Sequence, residues 1–142
     1  LTPQIERLAT IKQIHVENWN LLHSLIHDHP NIEIPMPLSQ VDSFCDTMQF
    51  HLVGLSRDEA DQFIDLMKEE GIPMQIFGAR RNARDYRQWE YIKAHQDELK
   101  ETIANIEFAC DLSMQPHLTQ DNVRVMGQVI LDVLAYIGEQ SS

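Results

Sequence analysis

The stretch from Gln49 to Ala79 constrains this chain most, because it carries its own start, stop and turn signals. Gln49–Leu55 is apolar and partly β-branched, which reads as a strand. Ser56 follows at a helix N-cap, and Glu59 three residues on completes a capping box. Leu55 and Ala60 take the two positions of a hydrophobic staple. Ala60, Phe63, Ile64 and Met67 recur at helical spacing and form one apolar stripe. Gly71 supplies the left-handed residue that stops a helix, and Pro73 keeps it stopped. Met74–Ala79 then reads as a second strand.

The flanking segments follow the same rules. Pro3 at a first helical position opens a long helix over 3–28, with Leu8, Ile11, Ile14, Leu21, Leu22 and Leu25 as its apolar residues. Pro30 ends it. Residues 30–46 are irregular, with a short strand offered by Ile32–Ile34. Asp85–Ile92 reads as a short helix, and Gln96–Ile106 contains another. Cys110–Gln115 is a third strong strand. Thr119 caps a final helix whose core face is Val123, Met126, Ile130, Val133, Leu134 and Ile137.

This order predicts an α+β fold, a two-layer sandwich with a mostly antiparallel or mixed sheet of about three strands. Helices cover one face, and the long N-terminal helix over 1–30 forms one unit with a small domain over 31–142. A right-handed crossover through the Ser56 helix makes the first two strong strands parallel, and the third fits between them, antiparallel.

Composition removes several classes of function. The net charge of −11 argues against a nucleic-acid partner, which needs a concentrated basic surface. No apolar run reaches about 18 residues, so no membrane span is expected, and no signal-peptide pattern opens the chain. The two cysteines, Cys45 and Cys110, stand outside any CxxC pair and fit reduced, buried or half-buried residues of a cytoplasmic protein. The chain begins at Leu1 rather than methionine, which trimming of the chain or excision from a longer protein would both explain.

Candidate chemistry is sparse. His23 and His27 share a helical face, but no HExxH motif or nearby cysteine completes a metal set, and a helix end itself favours histidine. No metal site is assigned. The acidic pairs at Asp58-Glu59 and Glu69-Glu70 fall at caps or on a solvated face. No nucleophile motif, P-loop or dinucleotide fingerprint occurs, and no catalytic residue is assigned. Lys12, Lys68, Lys93 and Lys100 all sit in polar helical segments, whereas a Schiff-base lysine needs a desolvated pocket. The turn Arg80-Arg81-Asn82-Ala83-Arg84 has two readings. Its guanidinium groups fit a carboxylate or phosphate, with Tyr86 and Trp89 as walls, or they pair with acidic surface while the aromatics enter the core.

The segment Gln49–Ile92 resembles the small C-terminal domain of the DegT/DnrJ/EryC1/StrS aminotransferases. The likeness rests on the Gln49–Leu55 strand, the Ser-Arg-Asp-Glu-Ala helix start, and Phe63-Ile64-Asp65-Leu66-Met67 before Glu70-Gly71-Ile72-Pro73. The Met74–Ala79 strand and the aromatic stretch Asp85–Ile92 extend it. The leading helix with Arg7 and Trp19 is similar to the family's inter-domain helix, and Asp111-Leu112-Ser113-Met114-Gln115-Pro116 to its last strand.

The resemblance implies a parent enzyme that uses pyridoxal phosphate to move an amino group onto a nucleotide-linked keto-sugar. The family's cofactor lysine and phosphate contacts lie in a large domain that nothing here resembles. This segment alone is therefore expected to bind no cofactor and to catalyse nothing. The missing large domain is its expected partner, within a homo-oligomer. The substrate side would face Gln75, Phe77, Arg80, Arg81, Tyr86 and Trp89. The arginines of 80–84 depart from the family pattern and leave the substrate type open. A free-standing ligand-binding module and a dimerisation domain built on the first helix are the alternatives.

Overall fold

A computed structural model describes residues 2–36, 38, 40–79, 82, 85–91 and 99–140. The chain runs α1 (Thr2–Ile26), β1 (Ile32–Glu33), β2 (Thr47–Leu52), α2 (Arg57–Glu69), β3 (Met74–Ile76), a 3-10 turn (Tyr86–Gln88), α3 (Lys100–Ile106), β4 (Ala109–Ser113) and α4 (Gln120–Gln140). The strands form one sheet in the order β1-β2-β4-β3. Every pairing is antiparallel. β4 separates β2 from β3, which therefore run parallel to each other, as the crossover through α2 requires. The fold is α+β, with four strands among the described residues where the sequence indicated about three strong ones, because the two-residue β1 extends the sheet edge.

The sheet has one dry face and one polar face. Met48, Leu112 and Met74 lie in register on the covered face, and Phe50, Cys110 and Ile76 form the next row. All six are 5% exposed or less. Burial of the Cys110 thiol, with Asp111 beside it, pushes its pKa far up. The helices cover this face, with α4 packed on α1 and α2, and α2 on β3. Val123, Met126, Ile130, Val133, Leu134 and Ile137 of α4 are all buried, as their spacing indicates.

The α2 boundaries have the expected chemistry. The Ser56 hydroxyl accepts from the Glu59 amide at 3.3 Å, and the Ser56 amide donates to Glu59 Oε2 at 2.6 Å. At the other end Ile72 N donates to Met67 O at 2.9 Å and Gly71 N to Lys68 O at 3.0 Å, a Schellman closure. Gly71 has φ +78°, a conformation costly for any residue with a Cβ. In α4, Thr119 Oγ1 accepts from Asn122 N at 3.2 Å, and Thr119 N donates to Asn122 Oδ1 at 3.0 Å.

Several boundaries shift. The first strong strand starts at Thr47 and ends at Leu52, because Gly54 turns with φ +74°. The second stops at Ile76, and the third covers Ala109–Ser113. The Asp85–Ile92 helix is a three-residue 3-10 turn, while residue 92 lies outside the described residues, as do 96–98 of the Gln96–Ile106 segment. In α1 the buried line is His15, Asn18, Leu22 and Ile26, whereas Leu8 is 51% exposed. Polar residues occupy two of the inward positions because the helix crosses the loops as well as the core. Asn18 Nδ2, for example, donates to Leu118 O at 3.0 Å.

Candidate functional site

The polar face of the sheet is built by strand alternation. Gln49, Asp111 and Gln75 stand side by side across β2, β4 and β3. Thr47 pairs with Ser113 on one flank of this row, and His51 with Ala109 on the other. His51 Nε2 donates to Asn105 O at 2.9 Å, which ties the C-terminal end of α3 to this face. Gln75 is exposed and Phe77 half-buried at the β3 edge.

Beyond β3 a polar clamp fixes the 3-10 turn that carries Tyr86 and leads to Trp89. Asp85 is fully buried. Its carboxylate caps the 3-10 turn by accepting from Arg87 N at 2.9 Å, and it pairs with Arg87 Nη2 at 2.7 Å. Burial raises the Asp85 pKa, but the hydrogen bonds and charge of Arg87 outweigh it and hold the carboxyl below its ordinary value. The same contacts raise the Arg87 pKa. Arg87 Nη2 also donates to Gly78 O at 2.8 Å, and Asn82 Nδ2 donates to Ile76 O at 2.8 Å. Gly78 lies against α3: a Cβ there would meet Glu107 Cα at 2.8 Å.

This arrangement separates the residues singled out from sequence. Tyr86 is only 8% exposed, and its hydroxyl donates to Leu99 O at 3.4 Å. Trp89 is 39% exposed and stacks on Tyr91, with centroids 5.7 Å apart. Arg80 and Arg81 lie outside the described residues.

Sequence reasoning missed a second feature, a cleft of about 580 Å³ between α1, Pro35, Met36, residues 41–45 and the start of β2. Trp19 and Asn20 line it from α1, Thr47 and Gln49 from β2, and Ser43 and Cys45 from the loop. Gln49 thus belongs both to the cleft and to the polar row. Cys45 holds φ +59°, and its amide donates to Ser43 Oγ at 3.3 Å. Lys12 pairs with Asp42 at the rim. The alternation of β2 could have placed Thr47 and Gln49 on one face, but no local signal brings residues 41–45 beside α1. Nearby, His15 is buried against the Phe44 ring at 5.3 Å, and its Nδ1 has no hydrogen-bond partner among the described residues.

On α1, Trp19, His23 and His27 form a column of stacked rings 5.1 and 5.0 Å apart. Burial and the like charge of His27 lower the His23 pKa, against a smaller opposing effect of Asp28. Among the described residues no group of three or more His, Cys, Asp and Glu could hold a metal ion. No described helix is long and apolar enough to cross a membrane.

No protein-family model matches the chain, and no curated protein does. Solved structures do share its fold. A Streptococcus pneumoniae protein described as a sugar aminotransferase, Spr1654 in its PMP form, aligns with TM-score 0.81 and 14% identity over 96% of this chain and 34% of its own. 3-Amino-5-hydroxybenzoic acid synthase aligns with TM-score 0.75 and 19% identity, over 96% of this chain and 37% of its own. A DegT DnrJ EryC1 StrS aminotransferase from Brucella abortus gives TM-score 0.72 and 14% identity, over 93% of this chain and 33% of its own. The resemblance read from the residues therefore holds for the fold. The chain spans about a third of the length of these solved chains.

Proposed function

We propose that this chain is the C-terminal small domain of a pyridoxal-phosphate-dependent aminotransferase of the DegT/DnrJ/EryC1/StrS type, acting on a nucleotide-linked keto-sugar. One observation carries the reading: the shared fold runs through 96% of this chain but only 34% of its sugar aminotransferase match. Cofactor chemistry then belongs to a separate large domain, and this domain supplies one wall of the substrate cleft.

The lysines support that division. Bound pyridoxal phosphate supplies an electron sink, and the protein must hold it through a lysine of lowered pKa in a dry pocket. Among the described residues Lys12 is paired with Asp42, and Lys68 and Lys100 are exposed. None of these environments fits the cofactor, so no catalytic step is assigned to this chain. On the substrate side, Gln75 and Phe77 offer a strand edge, and the Asp85–Arg87 clamp holds the turn that carries Tyr86 and leads to Trp89; Arg80 and Arg81 complete the proposed set. Ile5 is 68% exposed and Leu8 51%, so the first turns of α1 offer an apolar surface for the large domain in a cytoplasmic homo-oligomer.

A visible-absorbance titration with pyridoxal phosphate tests this reading. The expected result is a weak change that grows without saturating. Saturation at one cofactor per chain contradicts it.

A further inference from the structure

Another cleft, of about 590 Å³, opens at the end of the sheet where β3 begins, opposite the end that leads to the 3-10 turn. Its volume falls in the range of small-molecule sites. The Gly71–Pro73 turn after α2, the end of β4 and the first half of α4 form its walls. Ile72, Pro73, Leu118, Val125, Met126 and Val129 make those walls apolar. Val125 is 62% exposed, so part of this apolar lining meets solvent. Most of the polar lining is already occupied: Gln115 Nε2 donates to Ser113 Oγ at 2.8 Å, and Asn122 caps α4 with Thr119. A ligand here must therefore present a mainly apolar body, whose burial drives binding.

Charge decides the rest of the ligand. No Lys or Arg lines the cleft among the described residues, so neither is there to hold a carboxylate or phosphate. Glu70 does line it, and its carboxylate has no hydrogen-bond or ion-pair partner among the described residues. Glu70 also stands at the C-terminal end of α2, where the helix dipole is negative and favours a cation. Lys68, in the last turn of α2, does not line the cleft. The N-terminal end of α4 opposes a cation only weakly, because the Asn122 amide is bonded to Thr119 Oγ1 and Asp121 adds a negative charge to that turn. His117 completes the polar lining, and a neutral imidazole both donates and accepts. We infer that this cleft binds a small hydrophobic amine, with its ring against Val125, Met126 and Val129 and its ammonium group on Glu70. The inference rests on this cleft alone and is independent of the aminotransferase reading.

Methyl NMR on the labelled chain tests it at about pH 8, where histidines in general are neutral and alkylammonium groups are charged. Phenethylamine and tryptamine are the probes, with phenethyl alcohol as the neutral comparison and hydrocinnamate as the anionic one. The amines should shift the Val125, Met126 and Val129 methyl signals saturably. Phenethylamine should bind at least about threefold tighter than phenethyl alcohol, as one exposed ion pair allows, and hydrocinnamate should bind weakest. Glu70→Gln removes an exposed charge and should leave the fold intact. It should bring phenethylamine down to the affinity of phenethyl alcohol and leave the alcohol unchanged. Glu69→Gln removes the same charge from a residue outside the cleft lining and should leave both affinities unchanged within about twofold. The inference fails if neither amine shifts these methyls saturably up to about 50 mM, well above the millimolar range of weak specific sites. It also fails if the alcohol or the carboxylate binds as tightly as the amine, or if Glu70→Gln weakens the amine no more than Glu69→Gln does. Shifts of the same methyls with protein concentration alone would mean that a second copy fills the cleft, and would overturn it too.

Discussion

The β2–α2–β3 block and the arm that follows it are neighbours in sequence, yet they are specified in opposite ways. In the block each boundary is closed by residues a few positions apart, such as Ser56 with Glu59 and Gly71 with Lys68. In the arm the local Asp85–Arg87 pair is anchored by contacts from farther away. Arg87 reaches back to Gly78, Gly78 N donates to Ile106 O at 2.9 Å, and Tyr86 reaches Leu99. Local chemistry thus makes the scaffold, and longer-range polar contacts aim the segment carried on it.

The largest expected effect breaks the arm. Arg87→Ala would leave the Asp85 carboxylate buried without its partner, so stability should fall by about 3 kcal/mol in denaturant unfolding. Hydrogen exchange should quicken first at Gly78, Asn82 and residues 85–89, ahead of the block. Next comes Gly78→Ala, whose Cβ would press on the Glu107 backbone, at about 2 kcal/mol. Gly71→Ala should cost about 1–2 kcal/mol, all of it from the positive φ, because nothing lies within 4 Å of the added carbon. Ser56→Ala should cost about 1 kcal/mol through loss of the cap. If Arg87→Ala and Ser56→Ala cost the same, the contrast between the two regions fails.

How much of this the residues disclose follows the same division. The capping box, glycine stop and α4 core face were legible because each is a pattern within one element. The parallel relation of β2 and β3 was legible from the crossover rule, whereas the place of β1 at the sheet edge was not. The α1 burial pattern was not: Leu8 looks like a core residue by spacing, but its turn extends past the core, while His15 and Asn18 face loops distant in sequence. The cleft was illegible because residues 41–45 and the start of β2 meet α1 only through the tertiary fold. The Asp85–Arg87 pair is close in sequence, but only the fold shows that Asp85 is fully buried.

The smallest effects concern pH, and they separate the regions again. Asp85 has a folded pKa below its unfolded value, so its stabilisation is full above the ordinary carboxylate range and is lost as pH falls through the folded value. Asp85→Asn should flatten that acid limb. His23 also has a lowered folded pKa, so the neutral ring favours the fold. Its contribution is full above 6.5 and declines as pH falls toward the folded value. His23→Gln should flatten stability in that milder window and leave the acid limb unchanged.

The aminotransferase-domain reading meets its most direct test in reductive trapping of pyridoxal phosphate with borohydride, followed by peptide mass spectrometry. The account predicts scattered, substoichiometric labelling over Lys12, Lys68, Lys93 and Lys100, with none preferred. Labelling of a single lysine, at one cofactor per chain, would contradict it.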